Sequence, residues 1–426
     1  MRMGKKKGEL RKSLFTNHLT VRIKHVVIVL MKEIYTTYKF RLQPTNKQKV
    51  LLNKHFGCVR FLYNHFLNER QQQYKITGKS DGFNAQCLAL TQLKKQPETQ
   101  WLKETNSAAL QYSLRNLDTA YARFFRGQSK FPKFKSKKNK HSFTCATPSA
   151  IKFKENKIFI PKFREGIKTI VHRKVVGEIR RMTLSLTPTS KYFVSILVKQ
   201  QYTPRKPTGA IVGIDLGIKN FAITSDGKVY KNNRYTKRYA RKLAKAQKHL
   251  SRKQKGSNSY HKQRIKVAQV HEKITNSRKD TLHKVSTQLI NDYDLICLED
   301  LNIKGMVKNH KLAKHIQDAS WGTFIQFLEY KAERNDKAIV RINRFYPSSK
   351  TCNKCGWVKQ DLSLSMRTWV CENCETKVDR DINAAKNILD EGYKIISART
   401  VENTDGDDVS DTSCVLLSMK SEALVV

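Results

Sequence analysis

Hydrophobic and polar positions change their period at a few points along the chain, and those points divide it. Residues 1–30 are basic without a sustained period, and a second methionine stands at Met31. Then Tyr38, Phe40 and Leu42 alternate with Lys39, Arg41 and Gln43, the period of a half-buried strand. Pro44 ends it, and Thr45 with Gln48 three residues on reads as a capping box that opens a helix. Helical spacing runs on to about residue 125 with a break at 78–82, and Leu110, Leu114, Leu117 and Tyr121 mark one face over 101–125. Residues 127–141 form a low-complexity basic loop in which Phe131, Pro132 and Phe134 sit among lysines. That mixture suits a nucleic-acid backbone and its exposed bases; the plainer reading is a solvated loop. Residues 142–201 break into short strands, among them Lys157-Ile158-Phe159-Ile160 and Tyr192-Phe193-Val194-Ser195-Ile196-Leu197-Val198. They should pair with the Tyr38 strand in one β-domain, with the helical block inserted between its parts.

Two prolines make 203–208 a linker, followed by an apolar strand at 211–216 and a hairpin through Asp226-Gly227. Residues 232–290 are helical and are divided by Gly256-Ser257-Asn258-Ser259. In their first half Tyr239, Leu243, Ala246 and Leu250 form a thin stripe, flanked by Arg238, Arg241, Lys242, Lys245 and Lys248. So narrow a stripe cannot seat a helix on a large core; it suits a hairpin with protein on one side and phosphates on the other. The last stretch, 397–426, is acidic and without amphipathic pattern, which predicts a disordered tail.

Charge sharpens this picture. The chain holds 83 Lys and Arg against 35 Asp and Glu, a net +48 over 426 residues. A hydrophobic content of 39% with 9 Pro and 18 Gly excludes a wholly disordered or collagen-like chain. The excess charge makes a polyanion the expected partner and argues against an ordinary metabolic enzyme. A membrane surface is the rival polyanion, but the apolar run 26–31 is far below the ~20 residues of a spanning helix. It is also too short for a signal peptide. The expectation is a cytoplasmic, nucleic-acid-associated protein with no membrane partner.

Five of the nine cysteines are scattered; the other four form Cys352-x2-Cys355 and, fifteen residues on, Cys371-x2-Cys374. Two such knuckles complete a tetrahedron around zinc, and four thiolates leave no open position, so the ion is expected to be structural. A redox-active cluster, or one held by packing alone, is the alternative. Three acids stand in apolar surroundings in a chain short of acids. Asp215 lies in Ile211-Val212-Gly213-Ile214-Asp215-Leu216-Gly217, on the strand face of two glycines that leave room for ions or a phosphate backbone. Glu299 closes Leu295-Ile296-Cys297-Leu298, and Asp381 shares a helical face with Ala384, Ala385 and Ile388. Asp379 looks instead like a helix cap. A buried carboxylate needs a cation or a proton. One alone is usually a cap or a salt bridge, and spacing cannot bring the three together.

These motifs, with Leu298-Glu299-Asp300-Leu301-Asn302, Phe345-Tyr346-Pro347-Ser348-Ser349-Lys350, Val59-Arg60-Phe61-Leu62-Tyr63-Asn64 and Asp379-Arg380-Asp381-Ile382-Asn383-Ala384-Ala385, resemble the TnpB family over residues 32–396. TnpB proteins are transposon-associated relatives of type V CRISPR effector nucleases. The resemblance implies an α/β chain with β-barrel and helical parts. Its centre would be an RNase H-like RuvC nuclease domain at 204–346 and 377–396, with the basic hairpin 232–290 and an inserted zinc ribbon at 347–376. A wedge-like β-domain at 32–45 and 127–203 would precede it, with a helical recognition insert at 46–126. Residues 1–31 would be an extension outside the fold, and 397–426 the tail. Asp215, Glu299 and Asp381 would be the catalytic ligands of two Mg²⁺ ions, with Mn²⁺ as a substitute, and Cys352, Cys355, Cys371 and Cys374 would hold Zn²⁺. Carried over locally, recognition of a motif beside the target points to Phe83, Ser107, Gln111 and Thr144, with Arg238, Arg241, Lys242, Lys245 and Lys248 gripping the guide–target duplex.

The activity implied is RNA-guided cleavage of double-stranded DNA in a prokaryotic cell. The guide RNA would derive from the transposon end, and the target duplex would carry the adjacent motif. The alternatives are a guided DNA-binding regulator that does not cut, or an accessory transposition protein. The intact three acids favour cutting, and strand joining is expected of a separate transposase.

Overall fold

The computed structural model describes residues 31–138, 140–363 and 365–402. The chain forms two compact units, one of residues 33–202 and one from 203 onward. Strand β1 (Lys32–Gln43) buries Tyr38, Phe40 and Leu42 on one face. Helix α1 (Asn46–Thr77) follows, and Thr45 and Gln48 make the reciprocal capping box. Helix α2 (Phe83–Leu93) leads to a 3-10 turn (Pro97–Glu104) and helix α3 (Ser107–Phe125). The helical spacing over 101–125 is thus not one helix, because the Asn106 side chain accepts from Ala108 N and starts a new one. Then come β2 (His141–Cys145), β3 (Lys152–Lys154), β4 (Lys157–Ile160), β5 (Phe163–Ile170), β6 (Glu178–Leu186) and β7 (Tyr192–Tyr202). Hydrogen bonding runs β2-β6-β7-β1-β5-β4-β3. The expected barrel is therefore a sheet with two edges, which are strands of five and three residues. Leu62, Phe66, Leu110, Leu114 and Leu117 join the sheet residues Phe40, Val194 and Ile196 in one buried core.

The second unit is built on β8 (Ile211–Asp215), β9 (Asn220–Thr224), β10 (Val229–Lys231), helices α4 (Tyr235–Ser251) and α5 (Asn258–Asp292), and β11 (Leu295–Glu299). Helices α6 (Ile303–Met306), α7 (His310–Ala319) and α8 (Trp321–Arg334), strand β12 (Ala338–Ile342), the pair β13 (Thr368–Val370) and β14 (Lys377–Asp379), and helix α9 (Arg380–Glu402) complete it. The sheet order is β10-β9-β8-β11-β12, antiparallel to β8 and parallel beyond it. Val212, Ile214, Ile296 and Leu298 face α5 and α8, packing with Leu282, Val285 and Leu289 of the first and Trp321 and Phe324 of the second. Leu295, Cys297, Val340 and Ile342 face α9 through Ile388 and Leu389.

Helix α9 continues six residues past the boundary expected at 396, since 397–402 include neither Gly nor Pro and Ser397 Oγ donates to Tyr393 O at 3.0 Å. Of the expected extension at 1–31, residues 1–30 lie outside the described residues, as do the residues from 403 onward. Among the described residues, no helix is long and apolar enough to cross a membrane.

Candidate active site and metal centre

Asp215 ends β8 and Glu299 ends β11, its parallel neighbour. Alternation turns Gly213, Asp215, Cys297 and Glu299 to the α9 side of the sheet. There the helix lies directly on the strands. A Cβ added at Gly213 would collide with the Ala385 carbonyl oxygen and lie 2.7 Å from Leu389 N. One added at Gly392 would lie 2.9 Å from Cys297 Cβ. The room expected beside Gly213 for an ion or a phosphate is thus filled by the protein's own helix, because a bare Cα lets backbone approach backbone. At Gly217 an added Cβ would meet only Asn220 O, at 3.0 Å, within 4 Å.

This seating brings Asp381, one turn before Ala385, to the end of β8. Asp379 caps the helix, accepting from Asp381 N and Ile382 N at 3.1 and 3.0 Å. Burial first, and then the charges of Glu299 and Asp381, push the Asp215 carboxyl up to about 7, with Arg380 and Arg367 opposing. Burial also raises Glu299, against a hydrogen bond from Ser348 Oγ. Arg367 donates to Asp381 Oδ1 at 3.2 Å. The three acids share one electrostatic neighbourhood, although they are not as tightly drawn together as the cysteines. Their hard oxygen donors and mutual repulsion suit divalent cations.

Among the described residues, Cys352, Cys355, Cys371 and Cys374 are the group whose ligand atoms all lie within 4.8 Å of one another. Cys352 Sγ is 3.7 Å from Cys374 Sγ, and Cys355 Sγ is 3.6 Å from Cys371 Sγ. A zinc tetrahedron with Zn–S of about 2.3 Å has edges of about 3.8 Å, so the thiols fit it. Hydrogen bonding with Thr376 pulls Cys374 down to about 6, whereas burial pushes Cys352 up to about 11.

Sequence reasoning missed what joins the two centres. Asn387 Nδ2 donates to Ser348 O and Thr351 O at 2.7 and 2.6 Å, and Asn383 Nδ2 donates to Thr351 O at 2.7 Å. Asn353 N donates to Asn383 Oδ1 at 2.9 Å, and its side chain donates to Asn387 and Asp390. The signal was there as two asparagines four apart on α9, a spacing that puts both on one helix face.

The remaining candidates are placed as follows. Phe83 opens α2 under the Arg115 guanidinium, 5.0 Å from the ring centre. Ser107 and Gln111 lie exposed, one turn apart, on α3. Thr144 is buried in β2, its hydroxyl 2.8 Å from that of Thr183. Arg238, Arg241, Lys242, Lys245 and Lys248 are exposed on α4, where no side chain is fully buried.

A family model described as "Probable transposase" matches residues 194–310, one described as "Cas12f1-like, TNB domain" matches 321–388, and one described as "Helix-turn-helix domain" matches 31–79. In the structure 31–79 is one strand and one long helix. A "Putative RNA-guided DNA endonuclease" of Streptomyces pristinaespiralis is 38% identical over 365 residues, covering 85% of this chain and 90% of its own. The "Putative RNA-guided DNA endonuclease InsQ" of Escherichia coli (strain K12) is 30% identical over 376 residues, covering 84% and 93%. Among solved structures, a chain of the "Cas12f1-sgRNA-target DNA complex" matches at 15% identity over 84% of this chain and 99% of that one, with a TM-score of 0.33.

Proposed function

Because the chain belongs to the TnpB family, the OrfB type of transposon-associated protein, we propose that it is an RNA-guided, Mg²⁺-dependent double-stranded DNA endonuclease. The observation that carries this is the neighbourhood of Asp215, Glu299 and Asp381, two at the ends of parallel strands and one at the start of the helix over them. Ligand sites at the carboxyl ends of parallel strands are the rule in open α/β sheets. In this reading the second unit is an RNase H-like RuvC domain, and its three acids hold two Mg²⁺ ions. Bound Mg²⁺ supplies an activated water and stabilises the attacking and leaving oxygens of a phosphodiester.

The chain's own part is to hold the ligands. Ser348 orients Glu299, Arg367 balances Asp381 until a cation arrives, and Asp379 fixes the first turn of α9. Zinc at the four cysteines stiffens the ribbon. The unit of residues 33–202 would serve as wedge and recognition lobe, reading an adjacent motif through Phe83, Ser107 and Gln111, while the α4–α5 hairpin grips the guide–target duplex. The guide would come from the transposon end, strand joining would fall to a separate transposase, and cutting would favour retention of the element.

The test is cleavage of a plasmid library that carries a flank-matched target beside randomised bases, using protein co-expressed with its transposon flank. Cuts that require the target match, one adjacent motif, Mg²⁺ and Asp215 support the reading. Guided binding with no cuts would instead make the protein a regulator.

A further inference from the structure

The basic segment after α3 is not a loose loop. Asn64, on α1, donates from Nδ2 to Lys135 O at 2.9 Å and accepts from Lys135 N at 2.8 Å. One amide side chain thus satisfies both backbone groups of a residue, as a neighbouring strand would. The Lys135 amine turns inward to lie 3.5 Å from the Tyr63 ring centre, where burial holds it down at about 8. Pro132 is buried, and Phe131 is held edge-on against Tyr121 and Phe124 at 5.6 and 5.2 Å.

What the clamp presents outward is aromatic and basic. Phe125 is 75% exposed, Phe134 52% and Phe131 43%. Arg123, Arg126, Lys130, Lys133, Lys137 and Lys138 are exposed in the same segment, and no acid occurs between Asp118 and Glu155. An apolar surface this exposed calls for an occupant. A protein core would leave the cations unpaired, whereas a nucleic-acid strand offers phosphates to the cations and base faces to the rings.

We infer that residues 123–138 form a pre-ordered site for an unpaired nucleic-acid strand, with Phe125 and Phe134 as stacking platforms and Asn64 as the positioning residue. A duplex fits poorly, since its base faces are already stacked. The shared chemistry is that of unpaired RNA or a displaced DNA strand, and the test separates them.

Full-length protein freed of nucleic acid is titrated in EDTA with labelled oligo(U), oligo(dT) and a duplex of equal length, over a range of salt. Cutting is blocked in EDTA, so failure here leaves the cleavage reading standing, and failure of cleavage leaves this one. Phe125→Ala with Phe134→Ala should weaken one or both single strands by about 10-fold or more, leaving the duplex unchanged. The strand more affected identifies the source. Lys133→Ala with Lys137→Ala should lower the salt slope by roughly 1.4 for single strands. Asn64→Ala should weaken the single strands and lower the thermal midpoint modestly, while the Phe pair's midpoint stays near the parent's. Photocrosslinks from halogenated uridines should fall within 123–138. Unchanged affinity in the phenylalanine variant, or an equal loss on the duplex, overturns the inference. So would a protein dimer that the variant splits without changing strand affinity, which would make this face a contact between copies.

Discussion

Gly213→Ala tests whether α9 is seated on β8 as the site requires. The new methyl would fall inside the Ala385 carbonyl oxygen and 2.7 Å from Leu389 N, against ordinary contact from 3.4 Å. Both partners are helix backbone, so no side chain can swing aside, and the carbonyl oxygen, the tighter of the two, requires the helix to retreat by roughly 1 Å or more. Overpacking of this kind costs about 1–3 kcal/mol, and contact on backbone puts the change at the upper end. About 3 kcal/mol in a unit of this size lowers the thermal midpoint by roughly 6–12 °C. Asp381 rides on the first turn of the displaced helix, and a misplacement near 1 Å costs about 100-fold in rate. Circular dichroism melts and plasmid cleavage read the two effects. Gly57→Ala is the control, since nothing lies within 4 Å of its added Cβ and it sits inside α1. It should raise stability by about 0.5–1 kcal/mol. An unshifted midpoint with full cleavage in Gly213→Ala would refute the seating.

The acids, the orienting serine and the ribbon give three more outcomes. In EDTA the neutral Asp215 carboxyl stabilises the fold fully below its ordinary value of 3.8, and that contribution is lost as pH rises to about 7. The difference in unfolding free energy between the parent and Asp215→Asn should therefore change across pH 4–7, by at most about 4 kcal/mol, and Mg²⁺ should restore the parent above pH 7. A difference flat in pH would sink this. Ser348→Ala removes the hydroxyl that donates to Glu299, so cleavage should fall by roughly 10-fold at pH 7 and its profile move to higher pH. An unmoved profile would mean that Ser348 does not govern Glu299. Cys352→Ser should lower zinc content, whereas Asn387→Leu, away from the thiols, should keep zinc and still lose about 2 kcal/mol or more of stability. Loss of zinc from Asn387→Leu would show that the thiols cannot hold the ion without this tie to the helix.

Local rules made much of this legible. The capping box at Thr45, the Asp226-Gly227 hairpin and the helix start capped by Ser257 follow from turn and cap chemistry, which acts over a few residues, although the break runs over 252–257 and not 256–259. Asp379 was legible as a cap for the same reason. Closure of the first sheet was not, since it depends on pairing between strands far apart in sequence. The filling of the space at Gly213 was not legible either, because alternation gives the face a residue occupies but not what comes to cover it. Ser348 and Asn387 act on partners 49 and 39 residues away, and no local period encodes such pairs. The pairing of Thr144 with Thr183 was hidden by the same limit, since Thr183 lies on another strand.

Helix α9 is where these constraints meet. Ala384, Ala385, Ile388 and Leu389 bury its sheet face, Asn383, Asn387 and Asp390 hold the ribbon, and Asp381 begins it. The three sets are offset by one or two residues, so rotating the helix to improve one contact would spoil the others. The segment between β12 and α9 carries both Ser348 and the four cysteines, and it is tied to the helix through Ser348 O and Thr351 O. A bound ion that fixes the knuckles would therefore also fix the residue that orients Glu299 and the helix that carries Asp381. A zinc ion at the ribbon would thus act on the acids through geometry, without touching them, and in the proposed nuclease its loss should cost cleavage as well as stability.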